Sequence, residues 1–300
     1  MGEGPFPHLA QAYRALVAAL DTIPNPTDRR VARDALRDAL DRTQEMLDGH
    51  GHAVIADTFL VDQTLHQGNA FVVLKLRHRD LGTAHALKSL REDRRHEPIL
   101  RDLLQREARH QLQLAHPAIL PIRALLRLPD GRPGILMDYV KGPSLADRLF
   151  EETLMEPQAA RLAARLCEAL AAVHAANLLH LDLSPANIVL PGGKLEDALL
   201  ADFGLSLAIG ECHRDRELTQ AQSHHFASPE QAAGAVPLDA RADLFALGRV
   251  IRACLPPDAS GPLAAWADHL ATPDRAARFP SIAEARAALD ALHFGEPLEI

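Results

Sequence analysis

Between Leu178 and Leu190 the chain reads LLHLDLSPANIVL, which sets an aspartate and an asparagine five residues apart inside an otherwise apolar run. A carboxylate drawn toward a core is costly unless a charge, hydrogen bonds or a metal compensates it. Asp182 therefore requires a partner from elsewhere in the fold. Twenty residues later LLADFGLS ends a short apolar run on Asp202, and Gly204 frees the backbone to turn. Two carboxylates and a carboxamide at the ends of paired β-segments form an oxygen-only cluster, the ligand type Mg²⁺ takes while also holding phosphate oxygens. In such a cluster Asp202 and Asn187 are the metal ligands, and Asp182, left unligated, is able to accept a proton from a hydroxyl.

The remainder of the sequence describes the scaffold for this cluster. The first fifty residues read as a helical hairpin: Leu9, Tyr13, Leu16, Val17 and Leu20 recur at helical spacing, IPNPTD interrupts, and Val31, Ala35, Leu36, Ala39, Leu40 and Leu47 continue to Gly49. From Ala53 the texture changes to β-like runs, VIADTFLVDQTL, AFVVLKLRH and TAHALKSL, with RDLG as the turn between the last two. A helix is expected over 97–115, then two more strands in ILPIRALLRL and GILMDYV. After Gly142 the chain becomes helical. PQAARLAARLCEALAAVHAAN carries Pro157 at a helix start and Asn177 as a left-handed cap, and DARADLFALGRVIRACL is the most apolar of the later helices. These elements predict an α+β chain: a helical extension over 1–52, a small antiparallel β lobe with one helix and a hinge over 53–141, and a larger helical lobe over 142–300. A cleft between unlike lobes is where ligands bind.

Composition narrows the partners. With 47% hydrophobic and 24% charged residues the chain has enough apolar material for a sizeable core, and its formal charge of -8 argues against nucleic acid or an anionic membrane as the main partner. Cys167, Cys212 and Cys254 are odd in number and far apart, which fits neither a disulfide framework nor a metal site and suits a reducing cytoplasm. No run approaches the roughly 20 apolar residues of a membrane span, and the first residues lack a basic segment followed by an apolar one, so a soluble, untargeted chain is expected. A cytoplasmic protein is expected.

The motifs together resemble those of the eukaryotic-like Ser/Thr protein kinases of bacteria, a family whose phosphoryl-transfer parts are a standard template. HLDLSPAN resembles the catalytic loop HRDLKPEN, which implies Asp182 as catalytic base and Asn187 as a metal ligand; DFG at 202–204 implies Asp202 as the second ligand. HALK resembles VAIK, so Lys88 is implied to meet the α- and β-phosphates and Glu107, in LLQREARHQL, to pair with it. The resemblance further implies nucleotide contacts from Gly68, Val73, Ala86, Met137, Asp138, Val140, Ser144 and Leu190, with Met137 as gatekeeper and the Asp138 carbonyl and Val140 amide meeting adenine. SHHFASPEQ resembles the activation segment, placing Ser223 at a substrate-facing position, Thr219 four residues before it, and Glu230 in the helical lobe with Arg278 as its partner. DLFALG resembles the buried helix motif, with Asp243 and Gly248. The implied cofactors are ATP and Mg²⁺ or Mn²⁺, the implied partners are protein substrates, and the N-terminal helices are a candidate partner or dimer contact. A scaffold pseudokinase and a small-molecule phosphotransferase are the alternatives.

Departures from the pattern carry their own expectations. The glycine loop is reduced to HQGNAF, where only Gly68 stands and His66 and Phe71 flank it; either phosphate grip is weak, or Phe71 packs over the nucleotide in compensation. Ser184 replaces a lysine that steadies the transferred phosphate, which predicts slower chemistry. Leu181 replaces an arginine that pairs with a phosphorylated activation segment, which predicts little phosphate-driven switching. Gln111 stands where an apolar residue is usual, which predicts a helix around Glu107 that docks less firmly.

Overall fold

The computed structural model describes residues 54–212, 225–234 and 236–292, with 19–20, 22–25, 28–29 and 32. The hairpin expected over 1–52 lies outside the described residues apart from these few, as do Thr219 and Ser223. The chain divides into two compact units, one comprising residues up to Gln63 with Leu76–Thr83 and the other Thr64–Lys75 with everything from Ala84 onward.

In the first unit the run VIADTFLVDQTL is not one strand. Strand β1 (Val54–Ile55) pairs antiparallel with the start of β2 (Phe59–Gln67), Val54 opposite Leu60 and Ile55 opposite Phe59. Ala56 and Asp57 both take φ of 52°, two left-handed residues that reverse the chain where the sequence pattern gives no break. Phe59 meets His78 edge-on at 5.4 Å.

In the second unit β6 (Pro133–Asp138) pairs antiparallel with both β4 (Ala84–Leu90) and β5 (Ile122–Arg127), and β4 lies next to β3 (Phe71–His78) in the strand order. β4 is buried from Ala86 to Leu90, as befits a strand covered on both faces. β5 alternates half-buried and exposed residues, with Arg123 and Arg127 outward, as befits a strand at the edge. Helix α1 (Pro98–Gln111) starts on Pro98, whose missing N–H costs nothing in a first turn, and buries Leu100, Leu104, Glu107, Ala108 and Gln111 along one face. Leu100 and Leu104 join Leu90 and Ile135 in a core to which each contributes about 1.5–3 kcal/mol. α1 ends at Gln111, short of the expected 115, because the Leu114 N–H turns back to the Gln111 carbonyl at 3.0 Å.

The helical part has α2 (Leu145–Glu151), α3 (Glu156–Ala175), α4 (Pro229–Ala233), α5 (Arg241–Cys254), α6 (Pro262–Leu270) and α7 (Ile282–Asp290), with short strand pairs β7 (Leu178–Leu179) with β10 (Leu207–Ala208) and β8 (Ile188–Val189) with β9 (Leu199–Leu200). α3 closes as the sequence indicates, with Asn177 at φ 59°. Leu166 and Leu170 of α3, Leu247 and Ile251 of α5, and Leu263 and Trp266 of α6 share one core. Gly248 is required where α5 crosses α6, since a Cβ there would stand 2.5 Å from the Ala267 carbonyl oxygen. The α+β architecture, an antiparallel sheet with one helix followed by a helical part, is the one expected.

Candidate active site

Lys88 meets Glu107, as expected, and Asp202 as well. Lys88 Nζ lies 2.9 Å from Glu107 Oε1 and 2.8 Å from Asp202 Oδ1. β4 presents Lys88 opposite Ile135 of β6, α1 presents Glu107 from its buried face, and Asp202 follows β9 with φ at 62°, a left-handed conformation that a short polar side chain tolerates. Lys88 is 8% exposed and Glu107 3%, so neither charge is stable there alone. Burial pushes the Glu107 carboxyl up to about 7 despite the ammonium beside it. Burial disfavours the charged Lys88 too, but the Asp202 and Glu107 carboxylates outweigh it and raise its pKa. Asp202, also destabilised by burial, is held below the usual carboxylate range by Lys88 and the Gly204 N–H, which donates to Oδ1 at 3.0 Å.

The second half of the site is a loop held open from behind. Asp243 on α5 accepts the N–H of His180 at 2.9 Å and of Leu181 at 2.8 Å, and meets His174 Nε2 at 2.9 Å. Burial alone would raise its pKa; these hydrogen bonds and the two histidines lower it. The grip stabilises Leu181 at φ 63°, which a leucine adopts only at a cost. The loop then turns so that Asn187 Nδ2 donates to the Asp182 carbonyl at 2.8 Å and to Asp182 Oδ2 at 2.9 Å. The Asp182 N–H donates to His180 Nδ1 at 3.2 Å, so the neutral imidazole carries its proton on Nε2 and donates to the Ala201 carbonyl at 3.2 Å. Burial lowers the His180 pKa, and its ring packs edge-on against Phe203 at 4.7 Å, a structural role.

Of the expected nucleotide contacts, Ala86 and Met137 stand opposite each other across β4 and β6. Ser144 bridges to Val189, and the Leu190 N–H donates to the Pro143 carbonyl at 2.9 Å, which brings Ser144 and Leu190 together. The Ser144 hydroxyl caps α2: it accepts the Asp147 N–H at 3.1 Å and donates to Asp147 Oδ2 at 2.7 Å. The Asp138 carboxylate pairs with Arg123 at 2.7 and 2.6 Å. Val73 and Val140 are half-buried, and the amide of Gly68 donates to the Phe71 carbonyl. Below, Arg278 and Glu230 form a bidentate pair at 2.7 and 3.0 Å.

Two expectations need correction or addition. Gln111 does not loosen α1: it is 3% exposed and its Nε2 donates to the Leu120 carbonyl at 2.8 Å, while His110 Nδ1 meets Ser206 Oγ at 2.8 Å. Polar tethers at 107, 110 and 111 thus share one helix face. Gln111→Leu is expected to cost about 1–3 kcal/mol in a denaturant or thermal melt, because the buried carbonyl loses its donor; equal or greater stability would show that an apolar residue serves as well. Sequence reasoning passed over Gln231, whose Nε2 donates to the Leu181 carbonyl at 2.7 Å; its place directly after Glu230 was the available signal.

The protein kinase domain family matches residues 59–257. The chain belongs to the protein kinase family. Its relatives include the probable serine/threonine-protein kinase PknB of Corynebacterium glutamicum, 33% identical over 206 residues that cover 66% of this chain and 31% of that protein. PknB of Mycobacterium tuberculosis is 34% identical over 180 residues, 58% of this chain and 28% of its own length. The kinase domain of Mycobacterium tuberculosis PknI superposes with a TM-score of 0.60 at 27% identity, covering 80% of this chain and 97% of that one. This kinase domain therefore spans about a third of the length of the curated relatives it matches. A protein kinase domain implies ATP and a divalent cation. Among the described residues no helix is long and apolar enough to cross a membrane.

The donor set fits a hard divalent cation. The Asn187 Nδ2 donates twice to Asp182, so its Oδ1 could turn to a cation, and Asp202 has a second carboxylate oxygen beside the one that meets Lys88. All are oxygens, as Mg²⁺ prefers. No cluster of three His, Cys, Asp or Glu suited to another metal occurs among the described residues.

Proposed function

We propose that this chain is a protein kinase that transfers the γ-phosphoryl group of ATP to serine or threonine hydroxyls of proteins, itself included, with Mg²⁺ or Mn²⁺. The observation that carries this reading is Lys88 held between Glu107 and Asp202 at 2.9 and 2.8 Å. In that position the ammonium binds α- and β-phosphate oxygens, and Glu107 fixes the direction from which it does so. A divalent cation, when bound, neutralises charge on the phosphates; Asn187 Oδ1 and Asp202 would hold it. Asp182 receives the proton of the attacking hydroxyl at its carboxylate, and the Asn187 amide, donating to Oδ2, fixes that carboxylate's orientation. Ala86, Val73, Leu190 and Met137 line the adenine site, the Asp138 carbonyl and Val140 amide address its edge, and Gly68 and Ser144 lie at the phosphate and ribose ends. Domain limits of 1–52, 53–141 and 142–300 and a cytoplasmic location belong to the same reading. Transfer from radiolabelled ATP to a protein, followed by mapping of the modified residue, tests it. Label on a small molecule alone, or nowhere, overturns it.

Ser184 is 4% exposed, and its hydroxyl has no hydrogen-bond partner among the described residues, so it supplies no positive charge to the transferred group. Leu181 packs with Leu179, Leu207, Leu238 and Ala242, an apolar cluster in place of a phosphate-binding cation. Thr219→Ala is accordingly expected to keep the wild-type rate on an external substrate to within about three-fold, under 1 kcal/mol in the barrier. A ten-fold loss would show that another cation reads a phosphate there.

A further inference from the structure

The turn between β2 and β3 is built unlike a phosphate-gripping loop. The Gly68 N–H donates to the Phe71 carbonyl at 2.9 Å, so the one glycine amide of HQGNAF is already engaged within the turn. The Arg91 N–H donates to the Ala70 carbonyl at 2.9 Å, and Arg91 Nη1 reaches the Gly68 carbonyl at 3.4 Å. Asp93 fixes that guanidinium through bonds of 2.9 and 3.1 Å. Successive backbone amides grip phosphate when they are free to converge on it. A turn whose glycine amide is bonded internally, and whose carbonyls are tied to the residue after β4, presents a side chain instead.

That side chain is Phe71. Its ring centroid lies 5.4 Å from Lys88 Nζ, within the range of a cation–π contact, and the ring packs on the cluster of Leu90, Leu100, Leu104 and Ala108. On another side of the ammonium stands Gly204, where a Cβ would lie 3.7 Å from Nζ. One ring therefore faces both the cation that would meet the phosphates and the helix that carries Glu107. It keeps water off the ammonium, which strengthens the pull of Lys88 on an anion.

We infer that Phe71 is a positioning residue for the phosphate end of the nucleotide: a side-chain lid, held in place by Arg91, that does the work glycine amides do elsewhere. The inference rests on the kinase reading of the site. It predicts a split between ligands that a merely structural ring would not produce. In calorimetric titrations, Phe71→Leu is expected to weaken Mg·ATP by about two- to thirty-fold, the span of a cation–π contact, and to leave adenosine within about two-fold on the same scale. Phe71→Tyr should retain ATP affinity, and Arg91→Ala, which keeps the ring and the backbone bond to Ala70 but removes the guanidinium from the Gly68 carbonyl, should weaken ATP in the same direction. Melting curves of each variant establish that it is folded; should Phe71→Leu not fold, Arg91→Ala and Phe71→Tyr carry the comparison. Unchanged ATP affinity in Phe71→Leu and Arg91→Ala, or equal losses for ATP and adenosine, overturns the lid while leaving a wild type that transfers phosphate as a kinase. A wild type that binds neither ligand overturns both readings.

Discussion

Asp182→Asn is expected to lower phosphoryl transfer by about 10²–10⁴-fold while Mg·ATP still raises the melting temperature as it does in the wild type. The amide keeps the shape of the side chain but cannot receive the hydroxyl proton, and Asp182 is not among the groups that would bind the nucleotide. Asp202→Asn should lose as much transfer for another reason. On the kinase reading it removes a negative ligand from the proposed cation site, as well as one of the two carboxylates that hold Lys88, at 2.8 Å, so the Mg·ATP-dependent rise in melting temperature should shrink or vanish. The pair of variants therefore separates chemistry from binding. Transfer at the wild-type rate in either variant would end the assignment of that residue, and in both would end the kinase reading.

Arg278→Ala is expected to be the most damaging substitution far from the site. The Arg278 side chain is fully buried and makes five hydrogen bonds: to Glu230 at 2.7 and 3.0 Å, to the Thr272 carbonyl at 2.7 Å, to Arg241 at 2.9 Å and to Pro273 at 3.0 Å. Every guanidinium N–H is used, and the cation also faces the Phe245 ring at 4.8 Å. Truncation leaves the Glu230 carboxylate and three carbonyls without their donor, a loss of about 3–5 kcal/mol. For a chain of this size that corresponds to a melting temperature lower by roughly 10 °C. Arg278→Lys should recover little, because three donors on a single nitrogen cannot reproduce a planar fork. A shift of less than about 2 °C for the alanine variant would mean that water replaces the guanidinium at little cost.

The charged residues of the site were legible because phosphoryl chemistry restricts residue type and spacing together. Lys88, Glu107, Asp182, Asn187 and Asp202 come from separate segments, yet each sits in a quotable run, and the pairings of Lys88 with Glu107 and Arg278 with Glu230 were found as expected. Hydrogen bonds that join a side chain to a distant backbone were not legible. Gln111 looked like a flaw in an apolar stripe because nothing in the pattern marks the Leu120 carbonyl as unbonded, and Gln231 was hidden for the same reason. Backbone reversals fell between these cases. Asn177 was foreseen as a left-handed residue, since asparagine tolerates that conformation, whereas Ala56 and Leu181 carry no such mark, and Leu181 is held there by Asp243.

The packing of Leu181 also bears on how the enzyme behaves in time. Where a loop must first acquire a phosphate before the base is set, a fresh preparation shows a lag, and its progress curve bends upward as the modified fraction grows. Here the loop is set by Asp243, Gln231 and an apolar cluster that exist as soon as the chain has folded. Product should accumulate linearly from the first turnover, at a rate per molecule that depends neither on protein concentration nor on prior incubation with ATP.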